Sequence, residues 1–290
     1  MKTRLIVLSA VMSFVATASA GTAFETLINT SSGSQTLPVA KVAVISMVAS
    51  PSSLLDSVLM AMHDQPGTAE KLVKWLRARK GVVELREIGR EISAYSWLGG
   101  VASDRNIPAV YISPLAMEPF SYRYLAVLIA REAGELMLSN FPESAEKRYM
   151  VASRMSETFF ELGGSRIMIS DIDGHSDAKV EESIRLWVEN DPSGGVYVLS
   201  QRGFKTLKDL EDSLSAEYER LIMLEQAIDQ MLAVPNDSNR PSLQAEMDKT
   251  MADASAVLVK LEAVKAAGAQ FEQFAKEETD WMWDHQSSLR

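Results

Sequence analysis

After Gly203, apolar residues recur every three or four positions in two long runs, 207–231 and 243–274, and few folds can accommodate that. Leu207, Leu210, Leu214, Tyr218, Leu221, Leu224, Ile228 and Met231 form the first stripe. After a loop carrying Pro235, Asn236, Asp237, Asn239 and Pro241, a second stripe runs from Leu243 through Met247, Met251, Ala254, Leu258, Leu261, Val264 and Ala267 to Phe271 and Phe274. A 3.6-residue period sustained on both sides of a Pro-rich turn predicts two long amphipathic helices folded back as an antiparallel hairpin, residues 204–290. Two uses of the stripes stay open. They pack on each other or on the preceding domain, or they form a protruding coiled-coil-like arm for oligomerisation or partner capture.

The residues before Gly203 read as mixed α and β. Ser52 to Met62 places Leu54, Leu55, Val58, Leu59 and Met62 at helical spacing. Thr68 to Lys80 repeats that pattern, with Thr68 as its cap and cations crowding its end. Lys41–Val48 is a buried strand or short helix; Val82–Ile88, Ala94–Leu98 and Ala109–Ser113 are strands, with Gly99-Gly100 and Asp104-Arg105-Asn106 as turns. Phe120–Asn140 is the strongest helix, stopped by Phe141-Pro142, and Ser144–Leu162 is a second, ended by Gly163-Gly164. A polar loop at 170–178 leads into a helix at Lys179–Glu189, and Val196–Leu199 after Gly194-Gly195 reads as a brief strand. The expected fold class is therefore α+β: a helix-rich domain with a small mixed sheet over 41–203, then the hairpin.

The first twenty residues have the grammar of an export signal: Lys2 and Arg4, an apolar run from Leu5 to Val15, then Ala18-Ser19-Ala20. The alternative is a retained anchor, which Ser9, Ser13, Thr17 and Ser19 make poorly apolar. Residues 21–40, rich in Thr, Ser and Gly, read as a linker. Cleavage removes two cations and no anion, so the formal charge of −10 becomes −12. Such a chain repels nucleic acid and anionic membrane surfaces and attracts basic partners. With no cysteine, disulfides, thiolate metal sites and cysteine nucleophiles are excluded, and an exported protein without disulfides suits a bacterial periplasm or exterior.

Three histidines, His63, His175 and His285, leave any acid–base or metal chemistry to lean on carboxylates. In the middle of the 120–140 helix stands Ala130-Arg131-Glu132-Ala133-Gly134-Glu135-Leu136, preceded by strand, turn, strand. This order resembles zincin-type metallopeptidases, whose helix carries H-E-x-x-H, often with glycine before the second histidine. The resemblance puts Glu132 on the general-base glutamate, Gly134 on that glycine, and Arg131 and Glu135 on the two zinc-binding histidines. Glu157 falls on the glutamate that supplies a third ligand from the next helix in one branch of the family. Arginine has no lone pair to give zinc, so the resemblance implies a metal-free relic in which Arg131 replaces the lost cation between Glu132, Glu135 and Glu157. Without the resemblance, Arg131 and Glu135 are one turn apart and form an ordinary surface ion pair.

Asp171, Asp173 and Asp177 alternate as in the start of a calcium loop, with Glu181 beyond, but the glycine comes fourth where an EF-hand needs it sixth. The other reading is a solvated loop whose Asp177 caps the following helix. No G-x-S-x-G elbow and no phosphate-binding glycine loop occurs; His63 at a helix end reads as a cap, and His175 as an exposed loop residue. Trp281 and Trp283 point to different sides of one helix, so one packs and one lies exposed, or the tail binds something. No cofactor is implied. Three functions follow: a catalytically dead zincin relative that binds another envelope protein; an adaptor unrelated to peptidases that uses the hairpin; or an active hydrolase with a non-standard carboxylate site.

Overall fold

The computed structural model describes residues 54–86, 88, 94–100, 106–113, 122–169, 177–234, 239–285 and 289. The leader, the linker, the 41–48 segment, Ser52, the 104–105 turn residues, and Asp171, Asp173 and His175 lie outside the described residues. All described residues belong to one compact unit.

Helix α1 (Leu54–Asp64) buries Leu55, Val58, Leu59 and Met62 of its expected stripe but leaves Leu54 exposed, and α2 (Thr68–Ala78) buries Ala69, Leu72, Val73 and Leu76. The sheet has three strands in the order β1 (Val82–Leu85), β3 (Asn106–Ile112), β2 (Ala94–Gly100). β1 runs parallel to β3 in the register Val82↔Ala109 to Leu85↔Ile112, and β2 runs antiparallel to β3 from Ala94↔Ile112 to Gly100↔Asn106. The sheet is mixed, as expected, but Gly99 and Gly100 pair with Ile107 and Asn106 inside the ladder and do not form a turn. β1 starts opposite Ala109, so Pro108 has a ladder on one side only and its missing N–H breaks no central pairing.

Against this sheet lies α3 (Tyr122–Met137). Its small residues Ala126, Ala130, Ala133 and Gly134 are all buried, which lets neighbours approach closely. α4 (Ala145–Glu161) packs on α3 and is buried on nearly every face; Ser144 caps it, accepting from Lys147 N at 3.2 Å. A 3₁₀ turn at Arg166–Met168 follows, then α5 (Ala178–Glu189), capped by Asp177, and α6 (Pro192–Gln201), capped by Asp191. The strand expected at Val196–Leu199 is therefore helix. Asp191 accepts from Gly194 N at 2.5 Å and Pro192 occupies the first turn, where its missing N–H is harmless; this start outweighs the β-propensity of Val196, Tyr197 and Val198. Gly195 is required there, since a Cβ would stand 2.1 Å from the Tyr149 ring on α4.

α7 (Leu207–Leu232) opens on a capping box between Thr206 and Asp209, and α8 (Arg240–Asp284) is a single helix of 45 residues, about 67 Å long. The two pack on each other. Near the body, Leu207, Val264 and Ala267 join the main core, with Phe271, Phe274, Trp281 and Met282 packed against it. Farther out, Leu221, Ala254 and Val257 form a separate cluster of their own. No described helix is long and apolar enough to cross a membrane.

Candidate functional site

The sequence-predicted residues divide between two places. Arg131, Glu132 and Glu135 line a cleft of about 790 Å³ between α3, α4, α5 and α6, with Met155, Leu186 and Phe204 among its apolar walls. Arg131 Nε donates to Glu132 Oε1 at 2.9 Å and its Nη2 donates to the Ala94 carbonyl at 3.4 Å, tying α3 to β2. Glu135 pairs with Lys147 Nζ at 3.4 Å, and Lys147 also holds Glu143. The expected Arg131–Glu135 pair is thus replaced. Each residue takes a partner from outside the one-turn spacing, because buried Lys147 needs a carboxylate and the edge carbonyl of Ala94 needs a donor.

Glu157 also departs from its expected place. Arg154 Nη1 donates to the Gly134 carbonyl at 3.2 Å, so this face of α4 meets α3; Glu157 meets α2 and α8 instead. While Arg131 pairs with Glu132, the charges of Glu157, Glu135 and Glu278 act on the guanidinium of Arg154. Burial lowers its pKa, and the three carboxylates oppose that shift.

On the α2 side, acidic groups gather under the first turn of a helix. Thr68 was expected to cap α2 with its side chain; the cap position is Gly67, and no side chain of the α2 segment bonds the orphan amides. Glu161 does so from α4, accepting from Thr68 N at 2.8 Å and Ala69 N at 2.9 Å. Gly67 has φ 149°, and a Cβ there would fall 2.1 Å from Glu161 Oε1. The Thr68 hydroxyl donates to Glu157 Oε2, and the Trp187 indole donates to Glu278 Oε1. The Trp187 and Trp281 rings meet edge to face at 5.4 Å, and His285 stacks on Trp281 at 3.9 Å. Trp283 is 68% exposed, so one tail tryptophan packs and the other does not.

Burial pushes the Glu157 carboxyl well above its usual range, and the Glu278 charge adds to that. Burial also raises Glu161, even though the two α2 amides pull it down. Glu161, Glu278, Trp187 and Arg154 were missed as a group. The available signal was the spacing of Arg154, Glu157 and Glu161 at i, i+3, i+7 along one helix.

Among the described residues no group of three His, Cys, Asp or Glu side chains can hold a metal ion. Asp177 is a cap, accepting from Lys179 N at 3.0 Å and Val180 N at 3.2 Å, and Glu181 pairs with Arg185 at 2.6 Å. His63 sits in the last turn of α1 with its Nδ1 buried and unpartnered. The chain matches no family model, no curated protein and no solved structure.

Proposed function

We propose that this chain is a non-catalytic binding protein of a bacterial envelope that engages a basic, apolar protein segment through α7 and α8, read as an antiparallel two-helix arm. Glu211 paired with Lys265 at 3.8 Å near the base, and Leu221 clustered with Ala254 and Val257 farther out, support the antiparallel reading. The export leader Lys2 to Ala20 supports the location.

One observation carries the binding role. Met223 and Met231, the latter expected in the inward stripe, lie open on α7 about two turns apart, and Val234 follows just past the helix end, an exposed apolar ridge. Met223, Met231 and Val234 are 68%, 52% and 55% exposed. The helices that present this ridge are acidic: two cations against seven carboxylates on α7, and five against nine on α8, leave a formal −9. Flexible thioethers on an acidic support suit a partner helix with one apolar and one basic face. A second copy of the arm would bring −9 against −9 and be repelled.

The non-catalytic part rests on the cleft, where Arg131 neutralises Glu132 and Lys147 neutralises Glu135. The zincin resemblance survives in this proposal only as ancestry. The packing of α3 on β2 and β3 agrees with such a scaffold, and Glu157 beside Thr68 does not.

The test is binding of the full chain to a synthetic amphipathic helix of Leu and Lys, followed by calorimetry. Met223→Glu with Met231→Glu is expected to weaken it at least tenfold while the circular dichroism stays unchanged. Equal binding by the double variant overturns the proposed surface. Sedimentation of a wild-type dimer that the same variant dissolves makes the occupant a second copy instead. Peptide hydrolysis that Glu132→Gln abolishes overturns the non-catalytic reading.

A further inference from the structure

The last turns of α8 rest on the body through a buried polar contact as well as through Phe271, Phe274 and Trp281. Glu278 is 1% exposed and Glu157 6%. Trp187 satisfies Glu278 Oε1 and Thr68 satisfies Glu157 Oε2. Glu278 Oε2 is buried with no hydrogen-bond partner, and the Glu157 carboxyl lies within hydrogen-bonding reach of the Glu278 carboxyl. Two ionised carboxylates so placed repel each other with little screening by water. One proton between them turns that repulsion into a hydrogen bond.

We propose that Glu157 and Glu278 share a single proton, and that this carboxyl–carboxylate bond is a clasp holding residues 271–284 of α8 against α4 and α5. The surrounding groups leave the second negative charge without an adequate partner. From α4, the Arg154 charge acts on both carboxylates and on Glu135 of α3 without an ion pair to any of them, while Glu161 adds negative charge. Tyr149 of α4 feels both glutamates and Asp191. α2 contributes the Thr68 hydroxyl and α5 the Trp187 indole, both neutral donors already engaged. His285, at the end of α8, acts on Glu161. When the shared proton leaves, two like charges face each other beneath the Trp187–Trp281 pair, and the clasp opens. This inference does not depend on what the arm binds.

Amide exchange of the full chain at pH 5 and pH 8.5, corrected for intrinsic exchange, tests it. Protection of residues 271–284 is expected to fall at least about tenfold at the higher pH while residues 145–160 hold theirs, a tenfold change being one unit of differential protonation. Glu157→Gln, neutral at both pH values and able to donate, is expected to keep the segment protected throughout. Equal wild-type protection at the two pH values overturns the proposal, as does a Glu157→Gln chain that loses protection with pH as the wild type does. If that variant does not fold, infrared spectra of the wild type at pH 7 decide. A protonated carboxyl stretch, lost in Glu278→Gln, supports the shared proton, and its absence overturns it.

Discussion

The Trp187 indole N–H and Glu278 Oε1 meet across 91 residues of sequence, both side chains almost wholly buried. This bond fixes the rotation of α8 where it lands on α5. Trp187→Phe keeps most of the apolar volume but leaves Glu278 Oε1 without its donor. The expected loss is about 1–3 kcal/mol, the cost of one stranded buried acceptor, read as a lower urea midpoint with an unchanged slope.

α2 begins on a glycine that no other residue can easily replace. Glu161→Ala removes the acceptor for two amides and is expected to cost about 1–2 kcal/mol, in the range of a lost cap. Gly67→Ala should cost more than that. It places a Cβ at φ 149° and 2.1 Å from Glu161 Oε1, so it strains the backbone and displaces the capping carboxylate together. Thermal unfolding of the two variants gives the order; a milder Gly67→Ala contradicts the geometry.

Two arginines on neighbouring helices predict unequal losses. Arg131 reaches Glu132 and Ala94 at the edge of an open cleft, and Arg131→Gln is expected to cost about 1 kcal/mol or less. Arg154 donates to the Gly134 carbonyl across the α3–α4 contact, and Glu157, Glu135 and Glu278 all feel its charge. Arg154→Met strands the Gly134 carbonyl and removes the nearby positive charge, and is expected to cost about 1–3 kcal/mol, more than Arg131→Gln. Denaturant titration of both variants ranks them, and a ranking in favour of Arg131 would restore it as the compensating charge.

These contrasts show where the sequence was readable. Most of the buried faces of α1, α2, α7 and α8 follow from apolar spacing, although Leu54, Leu224, Met231 and Met251 of the expected stripes lie exposed, and Asp177 is a recognisable cap because its function is local. Val196–Leu199 misled because Val-Tyr-Val has strand composition, while the helix is decided upstream by Asp191 and Pro192. Arg131 and Glu135 do share a helix face, but their partners were chosen by Lys147 and Ala94, from elements that spacing cannot place. Glu278 has the look of a solvated charge, flanked by Glu277 and Asp280. Only the landing of α8 on Trp187 makes it a core residue.

Acid and alkali should act on stability in the reverse of the usual sense for a carboxylate-rich chain. Glu157 and Glu161 both have folded-state pKa values raised above 4.5, chiefly by burial. Their contribution is therefore complete below the unfolded value and is lost as pH rises through the folded one. Asp209 works oppositely: its bonds to the backbone and hydroxyl of Thr206 lower its pKa below 3.8, so its contribution is present above that value and is lost as pH falls. Asp209 is fully exposed, whereas Glu157 is buried, and the buried term dominates. The urea midpoint should accordingly fall from pH 5 to pH 8, and Glu157→Gln should flatten that slope because glutamine has no proton to lose. A midpoint that instead rises over the same interval would place an ionised, well-partnered carboxylate where the interior offers Glu157 only the Thr68 hydroxyl, the Glu278 carboxyl and a share of Arg154.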